Sequence, residues 1–155
     1  MIARVRLALA AVFLGTAATA CVGMYAKSEV LERMNPSVSP GQLKVLATIA
    51  GGRTRADLQV SATVRQILTD SGITVVRHSG RFESQQDAVR QVCDNTAGER
   101  RDGVLFVWYN RLELFDCASQ RAAYEISGGQ QGITELTGRL LAYLRRDGPV
   151  TTSAP

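Results

Sequence analysis

The sequence has few of the side chains that most often bind metals or act as general bases. It contains one histidine, His78, and three cysteines among 155 residues. Neither a Cys-x-x-Cys nor a His-x-x-x-His spacing occurs, whereas a zinc site needs several such ligands at short spacings. The sequence therefore predicts neither a metal nor any other cofactor.

Catalytic and nucleotide-binding motifs are also absent from the sequence. A cysteine or serine nucleophile needs a base within reach, and His78 stands in a polar stretch, Arg77-His-Ser-Gly-Arg81, that is typical of an exposed loop. The glycine patterns of P-loops and of dinucleotide-binding folds do not occur. We therefore predict a non-enzymatic protein with no catalytic residues.

The first twenty residues have the order of a bacterial secretory signal. Arg4 and Arg6 precede an uncharged apolar run, and small residues follow as far as Ala20. The uncharged part, residues 7–20, is shorter than the roughly 20 residues that a membrane-spanning helix requires. The sequence therefore predicts a cleaved signal peptide over residues 1–20 and an exported protein.

Cys21 follows these small residues, and Ala18-Thr-Ala-Cys21 resembles a bacterial lipobox. The resemblance implies that acyl chains such as palmitate modify Cys21 and anchor the chain to a membrane. Val22 is not the aspartate that often marks retention at the inner membrane, which favours the periplasmic face of the outer membrane. Because Ala18 and Ala20 also suit ordinary signal peptidase, a soluble periplasmic or secreted protein is the alternative.

The two remaining cysteines, Cys93 and Cys117, form an even pair if Cys21 carries a lipid. Exported proteins meet oxidising conditions, which favour disulfides. We therefore predict a Cys93–Cys117 disulfide that closes a loop of about 25 residues. Two buried free thiols are the alternative.

The basic charge of the chain belongs partly to its signal. The formal net charge is +4, and removal of Arg4 and Arg6 lowers it by two, to about +2. A mature domain of such low net charge is not predicted to bind nucleic acid.

The part of the chain behind the signal divides into three segments. Residues 21–42 are interpreted as a lipid anchor and tether, since they end in a turn-rich stretch with two prolines. A flexible tether of that length spans roughly 25 Å on average, and a short helix is predicted in it around Val30, Leu31 and Met34. Residues 43–148 are predicted to form the folded domain, and residues 149–155 a disordered tail.

The pattern of residues 43–148 is typical of an α/β (α+β) domain. Thr54 and Ser84 each precede an aspartate by three residues, which predicts the start of a helix at each, and an apolar stripe from Ile133 to Leu144 predicts a third. Strands are predicted at residues 43–50, 73–77, 103–109, 112–116 and 121–126. The expected fold is a single compact domain with a mixed sheet of four or five strands and three helices, in the order β-α-β-α-β-β-β-α.

This order of elements resembles the small periplasmic α/β domains of envelope-assembly lipoproteins. The resemblance rests on residues 43–50, on the helix that ends at 68–72 before the strand at 73–76, and on the hairpin of 112–116 and 123–126. Such domains occur in the curli-secretion lipoprotein, in the lipoprotein activators of penicillin-binding proteins and at the N-terminus of the Tol-Pal propeller protein. The resemblance implies an assembly or accessory role and transfers no functional residue.

The segment Ala50-Gly-Gly-Arg-Thr-Arg55 connects the first predicted strand to the first predicted helix. A glycine-rich turn at this place offers backbone N–H groups to an anion, and two guanidinium groups stand beside it. The candidate anion-binding residues are therefore Gly51, Gly52, Arg53 and Arg55. A purely structural turn is the alternative.

Two hypotheses about function remain open. The first is a membrane-anchored envelope lipoprotein whose domain binds another envelope component, with a protein favoured over a polymer as the partner. The second is a periplasmic domain that binds a small ligand or an anion through residues 51–55. A hydrolase without recognisable motifs is a third, weaker hypothesis.

Overall fold

The computed structural model describes residues 30–94, 99–128 and 132–147. The predicted signal peptide, Cys21 and the predicted tail lie outside these residues. A 3-10 turn, Pro40–Gln42, separates the first two strands. The strands and helices, in chain order, are β1 (Leu31–Met34), β2 (Val45–Ala50), α1 (Arg55–Asp70), β3 (Thr74–Arg77), α2 (Gln85–Cys93), β4 (Gly103–Trp108), β5 (Arg111–Asp116), β6 (Arg121–Ser127) and α3 (Ile133–Leu144).

The strands form one mixed sheet in the order β1-β6-β5-β4-β2-β3. β2 is parallel to both β3 and β4, while the other neighbouring strands are antiparallel. The three parallel strands therefore end on the same side of the sheet. We call this row of strand ends, which includes Ala50, Arg77 and Trp108, the carboxyl edge. The opposite edge is called the amino edge.

The two crossover helices cover opposite faces of the sheet. The chain moves from β2 outward to β3 through α1 and then back across β2 to β4 through α2, and right-handed crossovers in opposite directions place their helices on opposite faces. Alternate residues of β2 follow this division, since Leu46 packs with α1 while Ala47 packs with α2. The sheet is thus the middle layer of three, and the end of β2 lies between the two helices.

The larger core lies between the sheet and the pair α1 and α3. It contains Val64 and Leu68 of α1 with Leu136 and Leu140 of α3, all fully buried. Tyr124 and Tyr143 stack with ring centroids 4.6 Å apart. Burial of such side chains stabilises the fold by about 1.5 to 3 kcal/mol each.

The smaller core lies under α2 and is joined to a disulfide. Cys93 at the end of α2 is bonded to Cys117 after β5, with 5.2 Å between their Cα atoms. Val89 and Val92 of α2 pack beside this bond against Phe115. The predicted disulfide is therefore confirmed.

The sheet has six strands rather than the predicted four or five, and the additional strand is β1. The helix predicted around Leu31 is wrong, because this segment pairs antiparallel with β6 and Leu31 lies opposite Ser127. The hydroxyl of Tyr124 donates to the Glu32 carboxylate at 2.8 Å, and such a distant partner leaves no local pattern. The segment interpreted as a tether, residues 21–42, therefore contains an edge strand of the sheet.

The direction of β1 fixes where the chain enters the fold. β1 is antiparallel to β6, and Ser127 at the end of β6 pairs with Arg111, which in turn pairs with Trp108. Leu31 is therefore at the carboxyl edge.

None of the helices in the described part of the chain is long and apolar enough to cross a membrane.

Candidate functional site

The turn from β2 into α1 is packed so tightly that only glycine fits at two of its positions. A Cβ atom on Gly51 would collide with the indole ring of Trp108, and one on Gly52 would collide with the carboxylate of Asp57. The N–H of Gly51 donates to the carbonyl of Val107 at 2.7 Å. Close packing therefore explains these glycines, and the Gly51 N–H is occupied within the protein.

Asp57 holds this turn in place. Its carboxylate accepts hydrogen bonds from the hydroxyl and the N–H of Thr54 at 2.6 and 3.3 Å, and Thr54 caps α1 in return by accepting from the Asp57 N–H. These bonds, the one from the Thr54 hydroxyl foremost, lower the pKa of Asp57, although burial opposes them. The predicted capping box is confirmed, and it places an acid at the helix N-terminus where an anion would otherwise bind.

A cleft of about 450 Å³ lies beside the turn, between α1 and the ends of β2 and β3. Four basic side chains line it, and none of its lining residues is acidic. They are Arg53 from the turn, Arg65 from α1, and Arg77 and His78 from the end of β3. We call this the arginine cleft.

Electrostatic repulsion and burial act together on the charges of the arginine cleft. The pKa of Arg65 is lowered first by burial and then by the positive charge of Arg77. The pKa of His78 is lowered by burial and by the charge of Arg101, so that His78 is neutral near pH 7. Arg65 donates to the hydroxyl of Ser61 at 3.2 Å, which supplies no negative charge. The cleft therefore favours an anion, since one would reduce the repulsion between its guanidinium groups.

A second cavity of about 260 Å³ adjoins the arginine cleft on the α2 side of β2. Gly52 and Arg53 line both cavities, and the second one is walled by Phe82, Phe106 and Trp108. Trp108 stacks on Phe106 at 5.8 Å between ring centroids, and the guanidinium of Arg111 lies 5.2 Å from the indole. The end of β2 thus has a cationic cavity on one side and an aromatic cavity on the other.

Two acidic residues of the hairpin, Glu113 and Glu125, share one arginine of the sheet. Glu113 is buried, and its carboxylate accepts hydrogen bonds from Gln85 at 2.8 Å and Arg111 at 2.9 Å. Arg111 also pairs with Glu125 at 3.1 Å. Within the described ranges, no group of three or more His, Cys, Asp or Glu residues is placed to hold a metal ion.

The structure places the four predicted anion-binding residues in different environments. Gly51 lies under Trp108, Gly52 and Arg53 line the arginine cleft, and Arg55 is exposed at the start of α1 outside the cleft. Sequence reasoning missed Arg65 and Arg77. Arg77 ends a strand parallel to β2, and binding sites of open α/β sheets lie at such strand ends, so this rule applied to β3 would have found it.

Arg65 carries a second signal that the sequence contains. Leu58, Ser61 and Arg65 follow one another at spacings of three and four residues, so they share one face of α1. All three line the arginine cleft. The polar Ser61 and the charged Arg65, on one face of the helix that follows the glycine turn, therefore indicated the site in the sequence.

Comparisons with known proteins give no family. No family model and no curated protein matches this sequence. Among solved structures, the chain is similar to a PelC dodecamer from Paraburkholderia phytofirmans, with 15% sequence identity and a TM-score of 0.43 over 76% of this chain and 94% of that chain. A likeness of this degree supports no conclusion about function.

Proposed function

We propose that this chain is an exported lipoprotein, anchored through Cys21 at the periplasmic face of the outer membrane, whose domain binds an anionic envelope component in the arginine cleft. The anchor is supported by the signal-like first twenty residues and by the lipobox-like Ala18-Thr-Ala-Cys21. The observation that carries the binding proposal is that Arg53, Arg65 and Arg77 line one cleft whose lining residues include no acid, so that the charge of Arg77 acts on Arg65.

The side chains at the cleft favour binding over catalysis. Cys93 and Cys117 are joined in a disulfide and supply no thiolate. The lining residues of the cleft include no carboxylate to act as a second proton-transfer group beside His78. Guanidinium groups, which do not release protons in proteins, instead suit the fixed recognition of phosphate or carboxylate.

The expected affinity follows from the number of charged contacts. A hydrogen bond to a charged group contributes about 1.5 to 3 kcal/mol, so Arg65 and Arg77 together provide roughly 3 to 6 kcal/mol. This corresponds to a dissociation constant for inorganic phosphate between about 6 mM and about 40 μM. A larger anionic ligand that also fills the aromatic cavity would bind more tightly.

The cleft is tested by calorimetric titration of the mature chain with inorganic phosphate. We expect the double variant Arg65→Ala/Arg77→Ala to bind at least ten times more weakly. The matched control is Arg121→Ala/Arg145→Ala, which removes two exposed arginines far from the cleft. Equal affinity of the cleft variant and the unmodified protein would refute anion binding at this site.

The anchor is tested by the intact mass of protein purified from membranes. Acylation at Cys21 adds the mass of its acyl chains to a chain that begins at residue 21, and Cys21→Ser abolishes the addition. A mature chain of unmodified mass would instead show simple secretion.

A further inference from the structure

The exposed large apolar side chains of the described residues lie at one edge of the sheet. Leu31 is 59% exposed, Leu58 50% and Tyr109 64%. Leu31 begins β1, Leu58 is in the first turn of α1, and Tyr109 follows the end of β4. All three positions are at the carboxyl edge. Exposed apolar side chains that gather at one end of a fold favour an interaction surface there, whereas ones scattered over the whole surface do not.

The polypeptide reaches the fold at this same edge. Because β1 runs from the carboxyl edge towards the amino edge, the chain that comes from Cys21 arrives at Leu31 on the carboxyl edge. Ten residue steps separate Cys21 from Leu31, and they span at most about 35 Å when fully extended. An acyl anchor on Cys21 would therefore keep the carboxyl edge close to the membrane.

The charges of the carboxyl edge complement an anionic membrane surface. Arg53, Arg55 and Arg77 are exposed there. Arg53 and Arg77 line the arginine cleft, and Arg55 lies outside it. β1 and β2 are four strand positions apart in the sheet, which is about 19 Å at the usual strand spacing. Leu31, Tyr109 and the arginine cleft thus lie at the same end of the sheet, within a distance that a membrane surface can span.

We propose that the carboxyl edge docks on the membrane that holds the anchor, with Leu31, Leu58 and Tyr109 in the headgroup region and the arginine cleft on lipid phosphates. This inference rests on the anchor and the anion-binding cleft proposed above, and it identifies the anionic component as the lipid surface itself. Tyrosine suits this depth because its ring is apolar and its hydroxyl is polar. Each arginine near an anionic bilayer strengthens binding about fivefold.

The test uses the mature chain, residues 21–155, with Cys21→Ser so that no acyl chain contributes to binding. We measure sedimentation with vesicles of phosphatidylcholine alone and of phosphatidylcholine with phosphatidylglycerol. Binding at least ten times stronger to the anionic vesicles is expected. The chain has a single tryptophan, Trp108 at the carboxyl edge, so lipids with brominated acyl chains should quench its fluorescence if this edge faces the bilayer.

Two variants separate the apolar and the charged contributions. Leu31→Ser/Leu58→Ser/Tyr109→Ser should lose most of the Trp108 quenching, and Arg53→Ala/Arg77→Ala should lose the preference for anionic vesicles. The control is again Arg121→Ala/Arg145→Ala. Arg121 begins β6 and Arg145 follows α3, so both lie at the amino edge, and this variant should bind vesicles like the parent chain. Circular dichroism melts confirm that each variant is folded.

The possible results distinguish the two proposals. Equal weakening by the control variant would show unspecific attraction and overturn the docking edge. Binding of inorganic phosphate or a soluble sugar phosphate without any vesicle binding would also overturn it, while the proposed anion-binding function would stand. A chain that binds neither phosphate nor vesicles would refute both.

Discussion

The carboxylate of Asp57 accepts a hydrogen bond at 3.2 Å from the backbone N–H of Tyr109, which joins the first turn of α1 to the turn between β4 and β5. The same carboxylate binds Thr54 and lies directly against Gly52. One buried acid thus joins the backbone of Tyr109 to Gly52 in the wall of the arginine cleft.

Replacement of Asp57 by asparagine should lower the free energy of unfolding by about 1 to 2 kcal/mol, because the helix cap is weakened. The folded state lowers the pKa of Asp57 below its usual 3.8, so its contribution is complete above that value and is lost as the pH falls further. Urea unfolding between pH 2 and 7 measures both effects. Asp57→Asn should therefore lose stability less steeply in acid than the parent protein.

The control for this substitution is Asp70→Asn at the last residue of α1, where the carboxylate is exposed and bonds only to Gln66 among the described side chains. It should leave stability within about 0.5 kcal/mol of the parent. If Asp70→Asn lowered the free energy of unfolding as much as Asp57→Asn does, the hydrogen bond from Tyr109 to Asp57 would not contribute measurably to stability.

Replacement of Arg77 by alanine should separate stability from binding. Without an anion, Arg77 repels Arg65, so its removal is expected to leave the unfolding free energy unchanged or to raise it by up to about 0.5 kcal/mol. Phosphate affinity should nevertheless fall at least tenfold. Thermal unfolding with and without phosphate measures both quantities, and Arg90→Ala on α2 is the control. A clearly destabilised Arg77→Ala domain would contradict a cleft kept for a ligand.

The protonation of His78 should make anion binding stronger in acid. Burial and the charge of Arg101 hold the pKa of His78 below its usual 6.5, and the neutral ring stacks on Phe82 at 5.5 Å. Affinity for sulfate, whose charge is constant in this range, should rise as the pH is lowered from 7 to 5. The ligand-free domain should become less stable over the same interval, because unfolded His78 binds a proton more readily.

His78→Asn is expected to remove both pH effects while binding at pH 7 changes little. Titration calorimetry with sulfate at several pH values provides the comparison. If the affinity of the variant for sulfate rose by the same factor at low pH, another group would have to be responsible. His78 would then have no part in binding.

Loss of the Cys93–Cys117 bond should lower the free energy of unfolding by about 3 to 4 kcal/mol, since the bond closes a long loop in the unfolded chain. The paired substitution Cys93→Ala/Cys117→Ala, compared with reduction of the parent protein, measures this in urea. Cys21→Ser should have no such effect. A loss below about 1 kcal/mol would show that α2 is held by its apolar contacts alone.

The helices could be predicted from the sequence because their signals are local. Thr54 and Ser84 accept from the N–H three residues on, as the pattern of hydroxyl and aspartate predicts. In α2, however, the Asp87 carboxylate accepts from the N–H of Glu83 rather than of Ser84. The capping residues were therefore predictable from the sequence. Which backbone N–H the aspartate side chain accepts from depended on the path of the loop before the helix.

Features that depend on distant contacts could not be predicted in this way. β1 has only four residues and pairs with β6. The hydrogen bond from Tyr124 to Glu32 joins residues that are 92 positions apart in the sequence. The arginine cleft combines three separate segments, and Arg65 and Arg77 line the same cleft only because β3 returns beside β2. The glycine turn identified the right place, but the side chains that make it cationic come from elsewhere.

The packing of the two glycines also gives a rule for finding other proteins that are built in this way. Gly51 must leave room for the indole, and Gly52 must leave room for the carboxylate three residues after the Thr54 cap. A chain with the same turn must therefore have Gly-Gly-x-Thr-x-x-Asp, or close equivalents of its cap and acid, directly after an apolar strand. Chains that also share the cleft would have an arginine eleven residues beyond the threonine and a second arginine at the end of the next strand. Chains without these two arginines would share only the turn.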